Sequence, residues 1–195
     1  MTLSPDLLLS AYSQGIFPMA DEDENGAIYW YDPDPRAVLP LDAFHVPRSL
    51  ARTLKKRPFE IRFDTAFTTV MQACAAPAPD REKTWISPEL IAVYTRLHQL
   101  GFAHSVEAWK EGTLVGGLYG VALRGLFAGE SMFSRQTDAS KIALVHLVQR
   151  LRERRFLLLD VQFMTEHLRQ FGAVEIDRAA YQQQLAQAMQ ARTAF

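Results

Sequence analysis

The sequence predicts an α+β domain: a mixed, largely antiparallel sheet with flanking helices, preceded by a small N-terminal lobe. Three observations carry this. Residues 104–110, 114–123 and 126–134 are extended, apolar-rich segments separated by Glu111-Gly112-Thr113 and Arg124-Gly125 turns, the pattern of an antiparallel meander. After them the periodicity alternates: helix 139–154, strand 156–162, helix 165–171, strand 173–176, then a helix from Ala179 onward. Finally, 48% hydrophobic and 22% charged residues in 195 positions is ordinary globular composition, which argues against disordered, collagen-like and coiled-coil chains.

The elements follow from local chemistry. Ser4-Pro5 sets an N-capping hydroxyl before a proline at the first helical position, and Gly15 supplies a stop, so a helix covers 5–14. Gly15, Pro18, the acidic run 21–24 and Asp32-Pro33-Asp34-Pro35 then break regular structure repeatedly, leaving at most a short strand at 28–31. A boundary at Arg36 divides the chain into a reduced N-terminal lobe, 1–36, and a main domain, 37–195. Helices are expected over 47–56 and 66–76 with a strand at 59–63 between them, followed by a loop with Pro77 and Pro79. Ser87-Pro88-Glu89 repeats the cap-then-proline start of a helix that runs to Leu100 and stops at Gly101. Asp138 is placed to cap the helix 139–154, and the strand 156–162 is apolar enough to be buried at the centre of the sheet.

Charge is unevenly spread. The net charge is −1, but residues 1–35 hold seven acids and no Lys or Arg, so the rest of the chain carries an excess of cations. That permits a polyanionic partner, or simply reflects an acidic loop on an ordinary surface. A single cysteine, Cys74, excludes an intramolecular disulfide, and the five histidines lack zinc-ligand spacing, so no metal is expected. The first residues lack a basic leader and no apolar run spans a bilayer, which points to a cytoplasmic protein without a membrane partner.

Several stretches interrupt this plain pattern. Gly129-Glu130-Ser131-Met132-Phe133 ends in Phe, so it is not a nucleophile elbow, and Gly116-Gly117-Leu118-Tyr119-Gly120 fits no phosphate loop; its glycines suit close backbone approach. Glu130 breaks an apolar strand and either lines a cavity or is a satisfied internal acid, paired for instance with Lys141. Period two puts Asp160 and Gln162 on one face at the C-terminal end of a strand, where open sheets offer clefts; a plain strand end turning to solvent is the alternative. Basic residues cluster at Arg48, Arg52, Lys55, Lys56 and Arg57, and again at Arg150, Arg152, Arg154 and Arg155, where they suit phosphates or a helix C-terminus. Trp85 could stack on a base or pack at a helix start.

Together the segments Ala11-Tyr12-Ser13-Gln14-Gly15-Ile16-Phe17-Pro18, Pro33-Asp34-Pro35-Arg36, Thr84-Trp85-Ile86, Gly116-Gly117-Leu118-Tyr119-Gly120-Val121, Gly129-Glu130-Ser131-Met132-Phe133-Ser134, Ala139-Ser140-Lys141 and Asp160-Val161-Gln162 resemble, in order, the motifs of leucyl/phenylalanyl-tRNA–protein transferases. The resemblance runs from about residue 7 to residue 181. It implies an N-acyltransferase (GNAT-like) catalytic domain over 37–195 that takes aminoacyl-tRNA in place of acyl-CoA; Arg135-Gln136-Thr137-Asp138-Ala139-Ser140 lacks the glycines of an acyl-CoA loop.

The implied reaction moves leucine or phenylalanine from leucyl-tRNA or phenylalanyl-tRNA to a protein with N-terminal Arg or Lys, marking it for degradation, with no cofactor and as a monomer. By the same resemblance Gln162 and Asp160 are catalytic, the amide orienting the attacking amine and the carboxylate stabilising developing charge. Glu130 faces the acceptor, and Leu118, Phe127, Leu144, Leu147 and Leu159 form the donor side-chain pocket. Trp85 meets the terminal adenosine, and Arg48, Arg52, Lys55, Lys56 and Arg57 hold the acceptor stem. Two departures are a shortened N-terminal lobe and Met19 where many members carry tryptophan. The competing expectations are a non-catalytic binder of basic N-termini or tRNA ends, and an acyl-CoA-dependent N-acyltransferase.

Overall fold

The expected meander forms the middle of the molecule. In the computed structural model, which describes residues 3–77 and 83–195, β5 (Ala103–Lys110), β6 (Thr113–Leu123) and β7 (Leu126–Ser134) pair antiparallel in sequence order. β4 (Glu60–Phe63) extends this sheet at one edge, and β8 (Leu158–Gln162), β3 (Arg36–Val38) and β9 (Val174–Ile176) extend it at the other, giving the order β4-β5-β6-β7-β8-β3-β9. Among the described residues only β7 and β8 run parallel. The α+β class and the mixed, largely antiparallel sheet are therefore as expected; Pro79 of the anticipated loop lies outside the described residues.

Both faces of the sheet are covered, which is why β6 is buried along most of its length. On one face α1 (Pro5–Tyr12), α3 (Phe67–Ala75) and α4 (Pro88–Gln99) pack Leu8, Met71, Leu90 and Tyr94 against Tyr119, Val121 and Ala128. On the other, α2 (Arg48–Lys55) and α5 (Ala139–Glu153) pack Leu50, Ile142, Leu147 and Leu151 against Leu118, Phe127 and Leu159. The C-terminal α7 (Arg178–Gln190) buries Tyr181 and Leu185 on Val38, Leu126 and Leu158. Ser4 and Ser87 cap α1 and α4 as expected, accepting from Leu7 N and Leu90 N at 3.2 Å each. None of the described helices is long and apolar enough to cross a membrane.

Three expectations need correction. Residues 15–35 are not mainly irregular: β1 (Phe17–Asp21) pairs antiparallel with β2 (Ala27–Tyr31), and the hairpin turns through Asn25 and Gly26, both left-handed with φ of 56° and 78°. Pro18 and the acids obscured the strand, although Asn-Gly is itself a hairpin signature. Arg36–Val38, expected only as a boundary, is a sheet strand inserted between β8 and β9. Asp138 does not cap α5 through its side chain; its own φ is 66°, and its carboxylate pairs with Lys141 at 3.2 Å. Ser134 Oγ instead accepts from Ser140 N at 3.2 Å in the first turn.

Candidate active site

The site exists because two parallel strands part company. β7 and β8 pair only at Leu126–Leu158, Phe127–Leu159 and Ala128–Asp160. Beyond Ala128 they diverge, and a cavity of about 810 Å³ occupies the gap, bounded by β1 and Trp85 on one side and by α5 on another. Glu130 and Gln162 both line it.

Glu130 reaches the cavity through a β-bulge. In the β6–β7 ladder Tyr119 faces Ser131 and Gly120 faces Gly129, so Glu130 is the extra residue with no partner opposite. Gly120 makes this possible, since a Cβ there would lie 2.3 Å from the Ala128 carbonyl oxygen and 2.4 Å from the Phe127 ring. The Tyr12 hydroxyl donates to Glu130 Oε1 at 2.6 Å and shares a short hydrogen bond with the Tyr94 hydroxyl. Burial pushes the Glu130 carboxyl up to about 8, so at neutral pH it is largely protonated. Burial and the nearby acid hold both phenols well above their ordinary range, which keeps them hydrogen-bond donors. Lys141 pairs with Asp138, so the alternative of a Glu130–Lys141 pair is not what the fold contains.

Gln162 reaches the cavity through a second local irregularity. Its φ is 61°, and Phe163 N–H donates back to the Val161 carbonyl at 2.7 Å, closing a γ-turn around Gln162. The turn breaks the period-two pattern, so Gln162 lines the cavity while Asp160, 1% exposed, lies behind it. The Gln162 amide nitrogen is buried with no hydrogen-bond partner among the described residues. An unpaired buried amide costs on the order of 1–3 kcal/mol, and active sites are where such groups are retained.

Asp160 is fixed from four directions. Arg36 donates Nε–H to Oδ1 at 3.0 Å and Nη2–H to Oδ2 at 2.7 Å, the Tyr181 hydroxyl donates to Oδ2 at 2.8 Å, and the Gln162 backbone N–H donates to Oδ1 at 3.0 Å. The guanidinium lies between the Phe17 and Tyr181 rings, 4.9 and 4.5 Å from their centroids, and also donates to the Gly15 carbonyl at 2.9 Å. Asp160 thereby pins the backbone of the strained turn and ties it to the N-terminal lobe. Arg36, Tyr12, Tyr94 and Tyr181 were not singled out as site residues. Arg36 and Tyr12 lie inside the recognised motifs, whereas Tyr94 follows the apolar spacing of α4 and looks like ordinary core.

Leu118, Leu144, Leu147 and Leu159 line the aliphatic part of the cavity, with Leu144 and Leu147 one helical turn apart. Phe127 does not line it; its ring is fully buried behind the site, stacked on Phe195 at 5.4 Å. Trp85 lines the mouth, and its carbonyl accepts from Ala20 N at 3.1 Å, which binds the tryptophan to β1 beside Met19. Arg48, Arg52, Lys55, Lys56 and Arg57 are all exposed on α2 and its exit, away from the cavity lining, where α2 buries Leu50 and packs on α5.

Comparison with known proteins gives this geometry its context. The family description "Leucyl/phenylalanyl-tRNA protein transferase" matches residues 38–186, and that of its N-terminal domain matches residues 1–34. A leucyl/phenylalanyl-tRNA–protein transferase of Paramagnetospirillum magneticum is 59% identical over 193 residues, covering 99% of this chain and 92% of the relative. One of Herpetosiphon aurantiacus is 61% identical over 194 residues, covering 99% and 98%. Among solved structures, a ribosomal-protein-alanine N-acetyltransferase from Brucella melitensis aligns with a TM-score of 0.39 at 16% identity over 57% of this chain and 85% of that one. The L-PGS structure from Bacillus licheniformis aligns with a TM-score of 0.45 at 14% identity over 83% and 60%. With near-full-length relatives at this identity and a family match across both segments, the chain belongs to the leucyl/phenylalanyl-tRNA–protein transferase family.

Proposed function

We propose that the cavity between β7 and β8 joins a leucyl or phenylalanyl group, carried as an ester on tRNA, to the N-terminal Arg or Lys of an acceptor protein. The acceptor's α-amine attacks the ester carbonyl, the new C–N bond forms as the C–O bond to the terminal ribose breaks, and the proton lost by nitrogen ends on the ribose oxygen. The ester is already activated and α-amines titrate at about 7.7–8.0, so placement and a neutral amine supply much of what the step needs. No cofactor is called for, and the cytoplasm, where charged tRNA is found, is the fitting compartment.

The observation that carries this reading is the buried amide nitrogen of Gln162, without a hydrogen-bond partner among the described residues, on a cavity that also holds Glu130 and a leucine-lined wall. An amide is a poor base but a good orienting group: its carbonyl oxygen accepts from the attacking amine, and its N–H is free for a substrate oxygen. Asp160 acts through Gln162 as a positioning residue, since its carboxylate holds the backbone of the turn and is itself engaged by Arg36 and Tyr181. Glu130 attracts the acceptor's positive charges, with Tyr12 and Tyr94 fixing its orientation. Leu118, Leu144, Leu147 and Leu159 suit unbranched aliphatic or aromatic donors, and β-branched ones would lose about 1–3 kcal/mol. Phe127 supports that wall from behind, Trp85 offers a stacking surface for the terminal adenosine, and the α2 cations meet the acceptor stem. In this division residues 1–36 close one side of the site and residues 37–195 carry the chemistry.

The test is transfer of labelled leucine and phenylalanine from charged tRNA to peptides beginning with Arg, Lys or Ala. Transfer to Arg and Lys but not Ala is expected. Turnover with CoA thioesters and none with aminoacyl-tRNA would overturn the reading, as would folded protein that binds charged tRNA without transferring its amino acid.

A further inference from the structure

We infer that the aromatic rim beside Gln162, built by Phe163, Phe17 and Tyr31, is a subsite for the side chain of the acceptor's second residue and selects apolar or aromatic side chains there. The inference rests on the cavity being the transfer site proposed above. The γ-turn that aims Gln162 inward turns the next residue outward: Phe163 is 46% exposed and lines the cavity mouth. Its ring meets Phe17 edge-on with centroids 5.8 Å apart, and Phe17 stacks on Tyr31 at 5.9 Å and 24°. Phe17 is buried and lines the cavity, whereas Tyr31 is 37% exposed. The three rings thus form a continuous apolar step from the interior to solvent.

Chain geometry matches that step. Consecutive Cα atoms are about 3.8 Å apart in any trans polypeptide. An acceptor whose α-amine lies at the Gln162 amide therefore has its second residue only one such step away, within the cavity that Phe163 also lines. The partly exposed rings of Phe163 and Tyr31 offer area for an apolar side chain to cover.

Charge decides between a polypeptide and a nucleic-acid strand as the occupant. Phe17 and Tyr31 belong to the segment 1–35, which has seven acids and no Lys or Arg. Its pairing cations come from elsewhere: Lys83 bonds Asp23 at 2.6 Å, Arg178 pairs with Asp32 and Asp34, and Arg36, already held by Asp160, lies 4.0 Å from Asp32. Three cations against seven acids still leave the segment in acidic excess, so the rim sits in a field that repels phosphates and favours a chain led by a cationic N-terminus.

The experiment compares Arg-X peptides, with X as Phe, Leu, Gly or Asp, on the wild-type protein, Phe163→Ala and Phe163→Leu, measuring kcat/KM for each peptide and KM for charged tRNA. The wild type is expected to favour Phe and Leu over Gly by about fivefold, the effect of covering roughly half an aromatic side chain, and to disfavour Asp. Phe163→Ala should bring Arg-Phe down to the level of Arg-Gly with the KM for charged tRNA unchanged, and Phe163→Leu should keep most of the preference. Equal rates for all X in the wild type, or a raised tRNA KM in Phe163→Ala with the peptide preference intact, would overturn the subsite; the second result would mean that the ring stacks on a base. Absence of transfer to every peptide by folded wild type would instead strike the transfer reading itself and the subsite with it.

Discussion

Replacing Gln162 with glycine and, separately, with alanine divides the backbone role of this position from the role of its amide. At φ of 61° an L-residue carries left-handed strain of roughly 1–2 kcal/mol. Glycine relieves that strain but returns about 0.4–1 kcal/mol through the greater freedom of the unfolded chain. The glycine variant should therefore be the more stable of the two by about 0.5–1 kcal/mol, the reverse of the usual order inside a strand. For a protein of this size that is a difference in Tm of about 1–4 °C. Both variants keep the backbone N–H that donates to Asp160 at 3.0 Å, so the anchor of the turn is common to them. Both lose the amide, and single-turnover transfer from charged tRNA to an Arg peptide should fall by about 100-fold or more in each, with tRNA binding largely kept. An alanine variant as stable as the glycine one would refute the strained turn. Transfer within about tenfold of wild type in either variant would refute the assignment of orienting work to the amide.

Two further outcomes follow from the buried acids. Arg36→Met leaves Asp160, 1% exposed, without its bidentate partner and should cost about 3–5 kcal/mol in urea unfolding, most of it recovered by adding Asp160→Asn; a loss under about 1 kcal/mol would mean that the carboxylate is solvated. For Glu130, burial raises the folded pKa to about 8 from an ordinary value of 4.5, so the folded protein keeps a proton that the unfolded chain releases between those values, and stability falls as pH rises through that window. Glu130→Gln removes that slope, and its Tm advantage over wild type should grow from pH 5 to pH 8; an advantage that stays constant would contradict the shifted carboxyl.

The fold was legible wherever local chemistry and periodicity agreed. Ser4-Pro5 and Ser87-Pro88 marked helix starts that the structure confirms by hydrogen bonds, and the turns at Gly112 and Gly125 separated three strands that pair as expected. Arg36–Val38 was not legible because three residues carry no period, and their place between β8 and β9 depends on Asp160, 124 positions away in sequence. The hairpin was hidden by Pro18 and the acids, although Asn25-Gly26 stood in plain view. At the site, Glu130 and Gln162 stood out as polar residues in apolar strands, and the structure puts both on the cavity. Phe127 lay in the same strand as Glu130 with nothing in the sequence to say which face it takes, and it packs behind the site instead.

Neither of the two events that aim Glu130 and Gln162 could be deduced from strand alternation, because each is a departure from it by a single residue. The bulge inserts Glu130 into β7, so residues 131–134 continue along β6 out of the register that would have kept them beside β8. The γ-turn ends β8 in the same neighbourhood, where Gln162 pairs with Ala37 rather than with β7. Together they open the gap that the leucines of α5 close from one side and the N-terminal lobe from the other. The functional groups thus sit on strands of a covered sheet, not on loops: Tyr12 fixes the Glu130 carboxyl, and Arg36 and Tyr181, through Asp160, fix the backbone that carries Gln162. That rigidity is what a reaction relying on placement more than on acid–base strength requires, since an error of about 1 Å in such a site can cost a factor of about 100 in rate.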